Sequence, residues 1–195
     1  MMQVLLINGS PNKKGNTFAA LEIVGTVLAH QGIETEFFHI GNQSVHGCCG
    51  CRKCRSENSS RCVFNDDVCN DLIEACIRAD GIVIGSPVYF AGPNGALCAL
   101  MDRVFAACSD RPHLLKGKPG AALVSFYRAG ATATLDRLKK YFAFSEMPIV
   151  TSSYWNLKFE PSSTIADDVQ GTMILETLGT NMAQMLKQRM IGGTS

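Results

Sequence analysis

Short apolar runs alternate with stretches of helical periodicity along this chain, and that alternation restricts the folds it can adopt. Residues 3–7 and 81–85 are almost continuously apolar, which is typical of strands buried on both faces of a parallel sheet. Similar runs predict strands over residues 35–40, 121–125 and 148–152. Apolar residues three and four positions apart predict helices over residues 16–30, 66–78, 94–108, 132–144 and 166–190, the first capped by Asn16 or Thr17.

This order of strands and helices predicts an α/β fold with a parallel sheet and right-handed crossovers. Five strands are consistent with the order 2-1-3-4-5, although a sequence alone leaves the strand order open. No repeat and no linker rich in Pro or Gly divides the 195 residues. We therefore expect one domain over residues 1–195, with a cysteine-rich loop at about residues 41–65.

Composition excludes several classes of protein. Apolar residues make up 46% of the chain, and 18 Lys and Arg against 17 Asp and Glu leave a net charge of +1. Without a basic stripe we expect no binding to nucleic acid, and without an apolar run of about 18 residues we expect no membrane span. Because the N-terminus lacks the features of a signal peptide, we expect a cytoplasmic protein. Its nine cysteines are then thiols, metal ligands or redox groups rather than a disulfide framework.

Residues 9–17 form a polar segment between the first strand and the first helix. Open α/β sheets bind ligands beyond the carboxyl ends of their strands, and a helix N-terminus there offers unpaired N–H groups to a phosphate. The two common glycine-rich nucleotide motifs, Gly-x4-Gly-Lys-Ser/Thr and Gly-x-Gly-x2-Gly, are absent from the segment. It is therefore either a phosphate site or an ordinary capped turn. The candidate ligands are Ser10, Asn12, Lys14, Asn16 and Thr17.

The third and fourth predicted strands both end in aromatic segments. The residues concerned are Pro87, Val88, Tyr89 and Phe90 after the third strand, and Tyr127, Arg128 and Gly130 after the fourth. Because parallel strands end at one edge of a sheet, these segments are placed to lie against a flat heterocycle. The alternative is that the rings close the end of the sheet. Complementary chemistry at three strand ends favours a ligand site.

Three segments carry a resemblance to a known family: INGSPNKKGNT at residues 7–17, the cysteine segment ending in CVFNDD at residues 62–67, and ADGIVIGSPVYFAGPNGALCALMDR at residues 79–103. They resemble the flavodoxin-like NAD(P)H-dependent FMN reductases, especially the branch that includes the iron–sulfur flavoproteins. The resemblance covers most of the chain and weakens after about residue 153. It implies a flavodoxin-like three-layer α/β/α sandwich with a five-stranded parallel sheet in the order 2-1-3-4-5.

The resemblance also implies FMN as the cofactor. Its phosphate would be held by Ser10, Asn12, Asn16 and Thr17, with positive charge from Lys14 nearby. Residues 87–90 would run along the isoalloxazine ring, and Tyr127, Arg128 and Gly130 would close the other side. The family usually has a lysine where Cys98 stands. Asp102 and Arg103 are interpreted as structural, in fold or dimer contacts.

Five cysteines lie within residues 48–62, and four of them, Cys48, Cys51, Cys54 and Cys62, have a C-x2-C-x2-C-x7-C spacing. Closely spaced thiolates on a loop converge readily on one metal ion or cluster. Three interpretations stay open: a [4Fe–4S] cluster, to which the resemblance points; a family remnant that serves as a lid or dimer arm; and structural zinc or a labile disulfide. Cys49 is an alternative ligand to Cys48.

Under this hypothesis the protein is an NAD(P)H-dependent FMN reductase. NAD(P)H is the co-substrate, FMN carries the electrons to a quinone or another small acceptor, and no catalytic side chain is predicted. One alternative is an iron–sulfur flavoprotein that exchanges electrons with ferredoxin, and the non-enzymatic alternative is a flavodoxin-like binding module. By resemblance we expect a homodimer or homotetramer, with Tyr154 and Trp155 covering a partner's flavin.

Overall fold

A parallel sheet forms the centre of the computed structural model, which describes residues 1–56, 59–109, 114–159 and 168–192. Its parallel strands are β1 (Gln3–Asn8), β2 (Glu34–His39), β3 (Gly81–Tyr89), β5 (Gly120–Phe126) and β6 (Leu157–Phe159). A two-residue strand, β4 (Gly92–Pro93), pairs antiparallel with the end of β3. The order β2-β1-β3-β5-β6 confirms the predicted order 2-1-3-4-5, in which the short β4 has no counterpart.

Helices cover both faces of the sheet. They are α1 (Asn16–His30), α2 (Lys53–Ser56), α3 (Cys69–Arg78), α4 (Gly95–Ser109), α5 (Ala131–Phe144) and α6 (Val169–Gly192). Val4 and Leu6 of β1 pack toward α1 and α6, whereas Leu5 and Ile7 pack toward α3, α4 and α5. This alternation is the period of two of a strand buried on both faces, and it produces the predicted three-layer sandwich.

Helix boundaries agree with the prediction within about three residues wherever they are described. The predicted start of the last helix, at residues 166–167, lies outside the described residues. None of the helices in the described ranges combines the length and the apolar composition that a membrane crossing requires.

The fifth strand does not lie where it was predicted, over residues 148–152. Gly120 at the start of β5 forms an isolated bridge to Ile149, and the chain then leaves the sheet. The side chain of Asn156 donates to the Ala122 carbonyl of β5 at 3.0 Å, in place of a strand neighbour. Pairing with β5 resumes only at Leu157–Phe159. Because an asparagine side chain satisfies the intervening carbonyl, the edge of β5 needs no continuous partner strand.

Candidate functional site

The loop between β1 and α1 is folded by its own polar side chains. Asn8 Oδ1 accepts from Ser10 N at 3.1 Å, and Asn8 Nδ2 donates to Lys13 O at 3.2 Å. Ser10 Oγ in turn accepts from Asn12 N at 3.1 Å. Asn8 and Ser10 are buried, whereas Asn12 and Lys14 are exposed. The loop is thus shaped from within, and two of its predicted ligands face solvent.

Helix α1 begins without a side-chain cap. Its N-cap is Gly15, with φ −91° and ψ −170°, so the prediction that Asn16 or Thr17 caps the helix is wrong. Asn16 is exposed, while Thr17 is buried with Oγ1 2.8 Å from Ser125 Oγ of β5. The N–H groups of a first helical turn have no acceptor within the helix. An uncapped, positively polarised turn beside Ser10 suits a phosphate.

Hydrogen bonds join this loop to the neighbouring strand ends. Gly9 N donates to Gly85 O of β3 at 2.9 Å, and Asn94 Nδ2 donates to Gly9 O at 2.9 Å. A Cβ on Gly9 would lie 2.6 Å from the Gly85 carbonyl oxygen, so only glycine fits this approach. Asn94 is not among the residues predicted for the site from the sequence. Its position after Pro93 at the start of a helix was the available signal, since asparagine is common there.

The aromatic pair after β3 lies on a tight hairpin turn. Phe90 has φ 49° and Ala91 has φ 58°, so both central residues of the β3–β4 turn are left-handed, as in a type I′ turn. The Phe90 side chain is fully exposed (107%) and that of Tyr89 is 45% exposed. Phe90 therefore does not close the end of the sheet. Its strained backbone holds an aromatic ring in solvent at the ligand-binding edge.

The loop after β5 contacts that hairpin. Gly130 has φ 95°, and a Cβ there would lie 2.5 Å from Ala91 Cα. The Tyr127 ring is 55% exposed, and the Arg128 guanidinium lies 5.3 Å from its centroid. The structure thus brings two of the predicted FMN segments into contact, the one after β3 and the one after β5. The loop between β1 and α1 is joined to both strands, since Gly9 contacts β3 and Thr17 contacts β5.

The five loop cysteines line one pocket together with Arg52, Phe64 and Arg103; they are Cys48, Cys49, Cys51, Cys54 and Cys62. Cys54 and Cys62 are half-buried and the other three are exposed. Burial raises the pKa of the Cys54 thiol, and electrostatic interaction with the neighbouring Cys51, Cys62 and Cys48 raises it further. The four predicted ligands are therefore electrostatic neighbours.

These thiols are not drawn together as in a metal-loaded site. All nine cysteines are free, and the described ranges contain no group of three or more His, Cys, Asp or Glu side chains at metal-binding spacing. A hydrogen bond from Lys53 N lowers the pKa of the exposed Cys51 thiol, which favours the ligating thiolate form. The assignment of four cluster ligands stays a prediction.

Residues outside the predicted set hold the cysteine loop. Asn70 of α3 is buried; its Oδ1 accepts from Cys62 N at 2.7 Å and its Nδ2 donates to Phe64 O at 3.0 Å. His46 lies with Nε2 3.0 Å from Asp66 Oδ2 and stacks on Phe64 at 4.3 Å between ring centroids. The polar run at residues 65–67, beside the last cysteine, was the available sequence signal.

The remaining cysteines belong mainly to the core, as predicted. Cys69, Cys76 and Cys108 are buried, and Cys98 is half-buried. Burial raises the pKa of Cys69 to about 12 and that of Cys108 to about 11. These thiols stay protonated at neutral pH and take no part in the pocket.

Comparison with known proteins assigns this chain to a family. Residues 2–161 match the family model described as NADPH-dependent FMN reductase. Two iron–sulfur flavoproteins of Methanocaldococcus jannaschii are 31% and 27% identical over 199 residues, covering 95% and 96% of this chain and 98% of each relative.

Solved structures agree on the fold. A flavodoxin from the domain Archaea gives a TM-score of 0.63 at 14% identity, over 96% of this chain and 99% of its own. A flavone reductase gives 0.74 at 18% identity, over 97% of this chain and 64% of its own. The fold is therefore flavodoxin-like. The chain belongs to the NADPH-dependent FMN reductase family, in the iron–sulfur flavoprotein branch, and is an FMN-binding oxidoreductase rather than a non-enzymatic binding module.

Proposed function

We propose that this protein transfers electrons between FMN and a [4Fe–4S] cluster held by Cys48, Cys51, Cys54 and Cys62. The observation that carries the proposal is that these four thiols line one pocket and that the other three raise the pKa of Cys54. Thiolates are the usual ligands of iron–sulfur clusters. The cluster, when bound, carries electrons one at a time.

The donor set fits such a group. Cys48 and Cys51 are exposed on the loop, while Cys54 and Cys62 are half-buried at its inner side. Binding of a metal centre is coupled to local folding, so thiols that only surround a pocket close on it when the group arrives. Arg52 and Arg103 line the same pocket, and the Arg103 guanidinium donates a hydrogen bond to Cys62 Sγ, so cationic residues lie beside the thiols.

FMN, when bound, supplies hydride and electron chemistry that no side chain provides. In this proposal the first turn of α1 and its loop bind the phosphate, and the aromatic turns enclose the ring and exclude water. The chain's contributing residues are Ser10, Asn12, Lys14, Asn16, Thr17, Pro87, Val88, Tyr89, Phe90, Tyr127, Arg128 and Gly130. No side chain is assigned a catalytic role.

The proposed electron donor to FMN is NAD(P)H, and the proposed acceptor is a quinone or another small molecule, with ferredoxin as the protein partner. The exposed ring of Phe90 supports a planar reactant at this edge. We further propose a homodimer or homotetramer. Tyr154 and Trp155, 56% and 51% exposed, form an apolar surface that suits a second copy.

A matched pair of cysteine variants tests the cluster. Protein purified without oxygen and reconstituted with iron and sulfide should bind about four iron atoms and one FMN per chain. Cys54→Ser should lose the iron and the broad visible absorption while retaining FMN. Cys98→Ser, which replaces a half-buried cysteine of α4 outside the pocket, should retain both. Wild-type protein that binds no iron, or a Cys54→Ser variant that keeps it all, would contradict the proposal.

The same preparations test the electron donor. Adding NADPH or NADH without oxygen should bleach the flavin absorption in wild type and in Cys54→Ser, because the hydride reaches FMN without the cysteine loop. If neither nucleotide bleaches the flavin but reduced ferredoxin does, NAD(P)H is not the donor.

A further inference from the structure

Helix α4 places a charged side chain under the cysteine loop, where an apolar one would be usual. Arg103 is 2% exposed, on the face of α4 that also buries Leu100 and Val104. Burying a guanidinium is costly unless its charge is paired and its N–H groups have acceptors. The groups that contact the Arg103 guanidinium therefore indicate the role of this residue.

The Arg103 guanidinium joins both ends of the loop. Its Nη1 donates to Asp67 Oδ2 and, at 3.2 Å, to His46 O, which precedes the first cysteine. Its Nη2 donates to Phe64 O at 3.4 Å, and its Nε donates to Cys62 Sγ at 3.1 Å. The Asp67 side chain is fully buried, so the charge is paired away from water.

Two residues hold Cys62, the last cysteine of the C-x2-C-x2-C-x7-C spacing. Asn70 holds the Cys62 backbone, accepting from its N–H at 2.7 Å and donating to its carbonyl at 3.1 Å. Arg103 alone among the described hydrogen bonds contacts the Cys62 sulfur. The Asp67 pair anchors α4 to the loop without that contact, so the Nε–H···Sγ bond is the interaction of Arg103 that acts on the sulfur itself.

We propose that Arg103 is a positioning residue of the cysteine site, which directs Cys62 Sγ toward the pocket and donates a hydrogen bond to it as a cluster ligand. This inference rests on the proposed function. A donor to a ligating sulfur stabilises the additional negative charge of the reduced cluster, because hydrogen bonds to cluster sulfurs are among the factors that set the reduction potential. The Arg103 hydrogen bond should therefore raise that potential.

Arg103→Lys is the test, because lysine keeps the charge opposite Asp67 but lacks the planar fork that reaches both Asp67 and Cys62. Arg78→Lys is the matched control, since Arg78 pairs with Glu36 at 3.3 Å at the end of α3 and does not line the cysteine pocket. Both variants and wild type are reconstituted with iron and sulfide and titrated anaerobically, with visible absorption reporting the cluster and FMN content as the internal standard.

In Arg103→Lys the equilibrium for one-electron reduction of the cluster should shift about tenfold toward the oxidised form, a potential about 59 mV more negative. FMN content should stay at the wild-type value, and Arg78→Lys should match wild type in both. If Arg103→Lys does not fold, the double variant Arg103→Met with Asp67→Asn removes the donor without leaving a buried charge, and the same shift is expected.

The experiment distinguishes a failure of the proposed role of Arg103 from a failure of the proposed cluster. If wild type binds a cluster and the Arg103 variants have its potential and iron content, Arg103 is only a structural residue, even if the melting temperature falls. If wild type binds no iron at all, the cluster itself is wrong and this role of Arg103 falls with it.

Discussion

At the scale of single residues, the buried contact between Thr17 and Ser125 joins the proposed phosphate turn to the sheet. The two hydroxyl oxygens lie 2.8 Å apart, and either one is able to donate. If Ser125 donates, the Thr17 hydroxyl hydrogen is free for a phosphate oxygen. The Ser125 hydroxyl would then orient the Thr17 hydroxyl for the ligand.

Thr17→Val should weaken FMN binding about 10- to 100-fold, the loss of one hydrogen bond to a charged group. Valine has nearly the same shape, so the turn itself should remain. The dissociation constant is measured by fluorescence quenching as apoprotein is titrated with FMN. Ser125→Ala is the control: it removes the same pair but leaves the Thr17 hydroxyl, so its FMN affinity should fall much less. Equal losses in the two variants would mean that Thr17 acts only through the fold.

At the scale of elements, the β3–β4 hairpin and the loop before α5 depend on a close backbone approach. Gly130→Ala should weaken FMN binding about tenfold or more, because Gly130 has φ 95° and a new Cβ would meet Ala91 Cα at 2.5 Å, displacing the hairpin. Gly32→Ala is a matched control, with φ 75° and no atom within 4 Å of the new Cβ. Both variants should lose about 1–2 kcal/mol of stability from backbone strain. If FMN affinity falls equally in both, the hairpin contact is not responsible.

The carboxyl end of α3 is held by one lysine. Lys118 Nζ donates to the carbonyls of Cys76, Ile77 and Ala79 at 3.2, 2.5 and 2.7 Å. Lys118→Met should lower the free energy of unfolding by about 2–3 kcal/mol, since it leaves those acceptors without a charged donor. Lys116→Met removes an exposed pair with Glu146 and should cost no more than about 1 kcal/mol in urea unfolding. Equal costs would show that the three contacts contribute little.

Local patterns predicted most elements, because buried strands and amphipathic helices leave a periodic signal. The fifth strand was misplaced because its position depends on Asn156 and Ala122, which are 34 residues apart. The β3–β4 hairpin was missed because Phe90 and Ala91 are not the residues that turns usually select. The sequence predicted that the three candidate FMN segments lie close together, because parallel strands end at one edge of a sheet. The contact of Arg103 with Cys62 follows no local rule, since it joins residues 41 positions apart.

At the scale of the whole molecule, helix α4 connects the two sites. Asn94, just before α4, donates to the Gly9 carbonyl of the proposed phosphate loop, and Arg103 donates to Cys62 Sγ. The two residues are nine positions apart, or about 14 Å along a helix axis. A rigid element thus fixes the spacing between the proposed FMN loop and the cysteine pocket. The core beneath α3 and α4 contains three buried thiols, which makes the stability of the molecule sensitive to alkali.

Burial raises the pKa of Cys69 to about 12 and of Cys108 to about 11 from the unfolded value of 9.0. Above pH 9.0 the unfolded chain therefore loses protons that the native protein keeps, until pH passes the folded pKa of each thiol. The contribution of each protonated thiol to the free energy of unfolding is complete below about pH 9. It falls by about 1.4 kcal/mol per pH unit between about pH 9 and the folded pKa of that thiol. Urea unfolding of the reduced, FMN-loaded protein should show this loss between about pH 9 and 10.

Cys108→Ala isolates one of these thiols. Near neutral pH the variant should be less stable than wild type by about 1 kcal/mol, the cost of the small cavity left by the sulfur. Because only wild type carries the proton linkage of Cys108, the difference in free energy of unfolding should shrink steadily above about pH 9 and approach zero near about pH 10. A difference that stays constant across that range would show that the Cys108 thiol ionises equally in the native and unfolded chains.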